Sequence, residues 1–156
     1  MNNTYFDQLN KNTETRMWIN NPSIGEAKLA LEQGAFSCTT NPAYCSKLLK
    51  TDKAGLDKMI DELIDEWYEK GDSFDYEEMT LKVYRKASKK IMKLFMPLYE
   101  SSDHKAGFVT IQDDPRFDED AEHMINNALI NRDISPNYMA KIPVISGGIE
   151  AIIGCI

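Results

Sequence analysis

Four short stretches of the chain are apolar almost without interruption: "TRMWI" at 15–19, "AFSCTT" at 35–40, "GFVTIQ" at 107–112 and "YMAKIPVI" at 138–145. They show little of the in-out alternation of a half-exposed sheet, so they predict strands buried on both faces. Between them, apolar positions recur at helical spacing. Ser23 caps a predicted helix in "SIGEAKLALEQG", and Gly34 ends it. In "GLDKMIDELIDEWYEKG", Leu56, Met59, Ile60, Leu63, Ile64 and Trp67 share one helical face, with Gly71 as the stop. "DYEEMTLKVYRKASKKIMKLFMPLYE" predicts a further helix that Pro97 bends or ends. "DDPRFDEDAEHMINNALIN" predicts another, with Pro115 at its start and an acidic first turn. A last helix begins near Gly147 and is cut off at Ile156. Strands alternating with helices predict βαβ units around a parallel sheet, a single α/β unit over residues 1–156 without internal repeats or linkers.

Composition narrows the class. A chain of 156 residues supports one domain with a core, and 42% hydrophobic with 28% charged residues is an ordinary globular balance. A net charge of -7 leaves no basic face to displace counterions, which argues against a nucleic-acid partner. No apolar run reaches the length of a membrane span, and the polar start "MNNTYFDQLNKN" is unlike a signal peptide. No membrane partner is expected, and the cytoplasm is the default location. Cys38, Cys45 and Cys155 are odd in number and form no CxxC pair, so neither a disulfide framework nor a zinc site is expected.

Lys141 is the leading candidate for chemistry, because it is a charged residue inside the last apolar run. Met139, Lys141 and Pro143 share one side of that strand, and Ala140, Ile142 and Val144 the other. If both faces are covered, burial disfavours the ammonium and makes the lysine a nucleophile for carbonyl carbon. Equally, a lysine in this position can snorkel its amine to the mouth of the sheet. Pro143 donates no backbone hydrogen bond, so pairing should loosen just beyond Lys141, at the strand end where parallel α/β folds place their sites. Asn41, in "TTNPAY", is held extended before Pro42 at another strand end, although Asn-Pro is also ordinary turn chemistry. Asn20 and Asn21 stand in the same relation to Pro22 after the first strand. Gln112 ends the third strand and can present its amide to a substrate or water. Asp113 and Asp114 resemble an acid-base or metal pair, but Asp114-Pro115 fits a helix cap better. Gly147-Gly148 is a weak anion-site signal. His104 and His123 lack partners at metal-ligand spacing and are expected at the surface.

Taken in order, "TTNP", "PLYE…GFVTIQDDPR", "SPNYMAKIP" and "GIEAI" resemble the transaldolases over residues 15–153, each segment on the element where that family carries it. The resemblance implies a (β/α)8 (TIM) barrel of the class I aldolase type, of which this chain holds the first four β/α units. It implies transfer of a dihydroxyacetone unit from a ketose phosphate to an aldose phosphate, part of carbohydrate metabolism, with no metal or organic cofactor. Lys141 is then the amine that forms a Schiff base with the substrate's C2 carbonyl, and Asn41 binds the dihydroxyacetone portion.

Two positions depart from the family pattern. Asn20 stands where the family has an aspartate that handles protons at substrate hydroxyls, and an amide takes up no proton. Gln112 stands where a "VSVEVDP" pattern has a glutamate that activates the water of imine formation. A glutamine there resembles the fructose 6-phosphate aldolases, which release dihydroxyacetone. A complete barrel takes about 250 residues, so two sheet edges are expected to be open unless self-association or a missing C-terminal half covers them. A catalytically weak half-barrel acting in assembly or sugar-phosphate binding, and a metal-dependent aldolase using Asp113 and Asp114, are the competing expectations.

Overall fold

A computed structural model describes residues 4–71 and 73–156. Four strands form one sheet in chain order, every neighbouring pair parallel: β1 (Trp18–Asn20), β2 (Ser37–Thr39), β3 (Val109–Gln112) and β4 (Tyr138–Lys141). Among the described residues the α-helices are α1 (Tyr5–Asn12), α2 (Ile24–Glu32), α3 (Ala43–Thr51), α4 (Lys53–Lys70), α5 (Tyr76–Ser101), α6 (Ala121–Arg132) and α7 (Ser146–Cys155), with a 3-10 turn at Pro115–Phe117. The predicted α/β class with a parallel sheet is the observed one.

Local chemistry fixes most boundaries. At α2, Ser23 Oγ accepts from the Glu26 N–H while the Glu26 carboxylate accepts from the Ser23 N–H, a reciprocal cap. Asp75 accepts from the amides of Glu77 and Glu78 to open α5, and Asp120 from that of His123 to open α6. Gly71 ends α4 at φ 71°, a left-handed backbone that suits glycine. The structure departs from or narrows the sequence expectation in three places. Pro97 does not end α5: the helix runs on to Ser101, with Phe95 buried just before the proline and Leu98 packed on the core just after it. The helix predicted to start at Pro115 is instead a 3-10 turn capped by Asp114, followed by α6 with its own cap at Asp120. Helix α1 was not foreseen, since its polar sequence announces it only through the Thr4–Asp7 capping box.

The register sorts the strand residues onto two faces. Ile19, Cys38, Val109, Ile111 and Tyr138 join the core built from Ala27, Tyr44, Tyr84, Ile91, Met92 and Phe95. Trp18, Asn20, Thr39, Thr110, Gln112, Met139 and Lys141 share the opposite face. There the Thr110 hydroxyl donates to Thr39 Oγ1 at 2.9 Å, while Trp18 is 37% and Met139 36% exposed. The expectation of two covered faces therefore does not hold among the described residues: one face packs on helices and the other is polar and partly open. At three or four residues, these strands are too short for alternation to be read from sequence. At the start of β4, the fully buried Asn137 donates to the carbonyls of Met92 and Gly107, tying this strand to α5 and to the turn before β3.

Candidate active site

The C-terminal ends of the strands carry the candidate side chains. Lys141 and Gln112 are register partners on β4 and β3, so their Cα atoms stand about 5 Å apart and their side chains leave the same face of the sheet. Both are half-buried. Lys141 Nζ has no hydrogen bond or ion pair among the described residues, and the Gln112 amide is likewise uncommitted. Pairing stops at Lys141, two residues before Pro143, and Val144 is already 81% exposed. From the helix side, Lys141 is reached by a cavity of only about 10 Å³ between Ile111, Met124, Ala140 and Ile142. That is room for one water at most, so any larger ligand reaches the amine only from the open face.

Asn41 is locked by its neighbours. Its Oδ1 accepts from the Ala43 N–H at 3.0 Å and from Asn21 Nδ2 at 3.0 Å, while its own N–H donates to Asn21 Oδ1 at 3.0 Å. The backbone donors fix which end of each amide is oxygen. Turn chemistry thus consumes the Asn41 carbonyl and leaves its NH₂ group as a free donor among the described residues. Asn21 supports this arrangement from a left-handed backbone, φ 46°, with its N–H donating to the Thr39 carbonyl. Asn20, one residue earlier, lies exposed on the open face with no side-chain partner among the described residues.

Behind Gln112 lies a buried phenol. The Gln112 N–H donates to Tyr84 Oη at 3.2 Å, and Tyr84 Oη lies 2.7 Å from Thr40 Oγ1. Thr40 spends its own proton on the Thr110 carbonyl at 2.6 Å, so Tyr84 donates to Thr40. Burial pushes the Tyr84 phenol up to about 12, against the opposing pull of its bonds to Thr40 and the Gln112 amide.

The paired aspartates point elsewhere. Asp114 caps the 3-10 turn and grips the Arg116 guanidinium, which holds its carboxyl below the usual range. Asp113 accepts from Asp114 N–H and from Asn127 Nδ2 on α6, and borders from the helix side the same small cavity that Lys141 lines. Both carboxylates are committed, and the described residues hold no cluster of three or more His, Cys, Asp or Glu arranged for a metal. His123, expected at the surface, is half-buried: it stacks on Phe117 and its Nε2 lies 2.7 Å from Asn127 Nδ2. The Gly147-Gly148 pair serves close packing. A Cβ on Gly148 would lie 1.8 Å from the Pro143 carbonyl oxygen, and the Gly147 N–H donates to the Glu119 carboxylate, so that helix terminus already has its anion.

Sequence reasoning reached the four strand-end residues but missed Tyr84 and Thr40. Only the parallel occurrence of Asn21-Pro22 and Asn41-Pro42 hinted at the paired amides.

No helix among the described residues is long and apolar enough to cross a membrane. No curated protein matches the chain. The model of the transaldolase/fructose-6-phosphate aldolase family matches residues 17–154, a span that includes all four strands and every strand end described above. With most of its length matched, the chain belongs to the transaldolase/fructose-6-phosphate aldolase family.

Proposed function

We propose that this chain uses Lys141 as the Schiff-base amine in the transfer of a dihydroxyacetone unit between sugar phosphates. Family membership supports aldolase or transferase chemistry on sugar phosphates in general. The observation that carries the finer reading is the gathering of uncommitted polar groups on one face at the strand ends: the Lys141 amine, the Gln112 amide beside it and the Asn20 amide across the sheet. In this reading the amine adds to the C2 carbonyl of the ketose phosphate, and the resulting carbinolamine loses water to give an iminium ion. As the C3–C4 bond breaks, its electron pair passes to the iminium and the C4 hydroxyl gives its proton to water, releasing an aldose phosphate and leaving an enamine on Lys141. An acceptor aldose phosphate then takes up the enamine carbon, and water frees the amine. The Asn41 NH₂ donates to a hydroxyl of the bound unit, Gln112 orients the water, and Asn20 binds a hydroxyl without taking its proton.

The same reading makes residues 1–156 the first four β/α units of an eight-fold barrel, one α/β unit whose open face needs a cover. A second copy or a C-terminal half provides it, lying over the polar face and pairing with the edge strands β1 and β4. A second functional reading draws on the two amides at Asn20 and Gln112: a catalytically weak half-barrel that binds sugar phosphate or assembles, or a lyase that releases dihydroxyacetone.

Borohydride trapping separates these readings. The protein is treated with fructose 6-phosphate or dihydroxyacetone, reduced, and mapped by intact mass and peptide analysis beside Lys141→Ala. We expect an adduct on Lys141 that the variant lacks. A folded sample without adduct removes the Schiff-base reading and leaves binding or assembly.

A further inference from the structure

We infer that Tyr84 is a positioning residue, whose hydroxyl holds the strand ends bearing Asn41 and Gln112 in one fixed arrangement; as far as it concerns catalysis, this rests on the Schiff-base reading. The argument begins with the ladder. Thr40 N–H donates to the Thr110 carbonyl, and a continued parallel ladder would send the Gln112 N–H to the Thr40 carbonyl. Instead the chain leaves the sheet at Asn41-Pro42, and the Gln112 N–H bonds to Tyr84 Oη. The hydroxyl therefore ends the ladder and spares a half-buried amide from going unpaired.

Its second bond couples the two sides. Tyr84 donates to Thr40 Oγ1, the residue directly before Asn41, and Thr40 reaches back to β3 through the Thr110 carbonyl. One side chain of α5 thus spans the gap between β2 and β3 just behind the candidate site. Tyr84 itself is 3% exposed and lies in the core, on the side of the sheet opposite Lys141, so it touches no substrate and acts only through Gln112 and Thr40. Thr39 and Thr110 brace the other face through their own hydroxyl bond, so the strand ends are tied from both sides.

Tyr84→Phe keeps the buried ring and removes the hydroxyl. Thr40→Val cuts the other end of the same link, and Thr40→Ser restores it. For each variant, the imine-trapping rate is measured over a range of fructose 6-phosphate concentrations. Amide hydrogen exchange is read at Gln112, with Val109 as an internal control for the fold. We expect Tyr84→Phe and Thr40→Val to lower the maximal trapping rate about 10- to 100-fold, the cost of sub-ångström misplacement. Half-saturation should stay put, Thr40→Ser should behave as wild type, and Gln112 in Tyr84→Phe should lose protection that Val109 keeps. Unchanged protection at Gln112 overturns the inference whatever the rates do, and so does lost protection with an unchanged rate. A wild type that traps no imine defeats the Schiff-base reading instead. Exchange at the Gln112 amide then decides the positioning role alone: unaltered exchange in Tyr84→Phe rejects it.

Discussion

Asn20 and Gln112 occupy strand ends where the resemblance implies carboxylates for proton work, and both side chains are uncommitted among the described residues. An amide donates and accepts hydrogen bonds but takes up no proton at neutral pH. Replacing both by carboxylates, Asn20→Asp with Gln112→Glu, should raise the cleavage rate by roughly 10²-fold, the low end of what a positioned general base contributes. Turnover assayed with fructose 6-phosphate and an aldose phosphate acceptor measures this. No gain in a well-folded double variant would assign the deficit to the open face instead. These residues were legible in the sequence because each stands at the end of an apolar run, beside a proline or an acidic turn. Tyr84 was not. Its role depends on which turn of a 26-residue helix lands over the gap between β2 and β3, and helical periodicity reports only that a face is buried.

Elements were readable for similar reasons and misread for others. The apolar runs located all four strands, yet the observed strands span only three or four residues. Pairing in β4 ends before Pro143, which leaves residues 142–145 outside the strand, whereas in the first three runs the residues left out lie mostly ahead of the strand. Burial on both faces was inferred from missing alternation, but Thr39, Thr110 and Gln112 line a polar face, a pattern hidden in so few residues. Glycines at element level show how packing decides a substitution. A methyl group on Gly148 would collide with the Pro143 backbone oxygen, where no flexible side chain can yield. Gly148→Ala should therefore cost about 1–3 kcal/mol of stability. Gly25, inside α2 with nothing within 4 Å of its added Cβ, should respond the other way. Gly25→Ala should gain about 0.5–1 kcal/mol. Urea denaturation of the two variants checks both signs.

For the whole molecule, the core built with α2, α3, α4 and α5 lies on one side of the sheet, and the other side carries Trp18 and Met139 among threonines and amides. If a second copy covers this face, sedimentation should show reversible association. Trp18 emission should shift to the blue as concentration rises, read in a Trp67→Phe background because Trp67 is already buried. A monomer with constant emission would reject self-association as the cover. The sheet order has a further consequence, for the sequence of events in folding. Strands β1 and β2 lie close in the chain, whereas Thr40 and Thr110 meet across 70 residues that include α3, α4 and α5. Closing that longer loop costs about 1 kcal/mol more than closing the first, and a two-stranded ribbon is at best marginally stable alone. During synthesis, β1 and β2 must therefore wait until the α4–α5 hairpin has formed and delivers β3. The half-site bearing Asn20 and Asn41 is thus expected to form only together with the half-site bearing Gln112, and the contact of Tyr84 with Thr40 and Gln112 marks where the two meet.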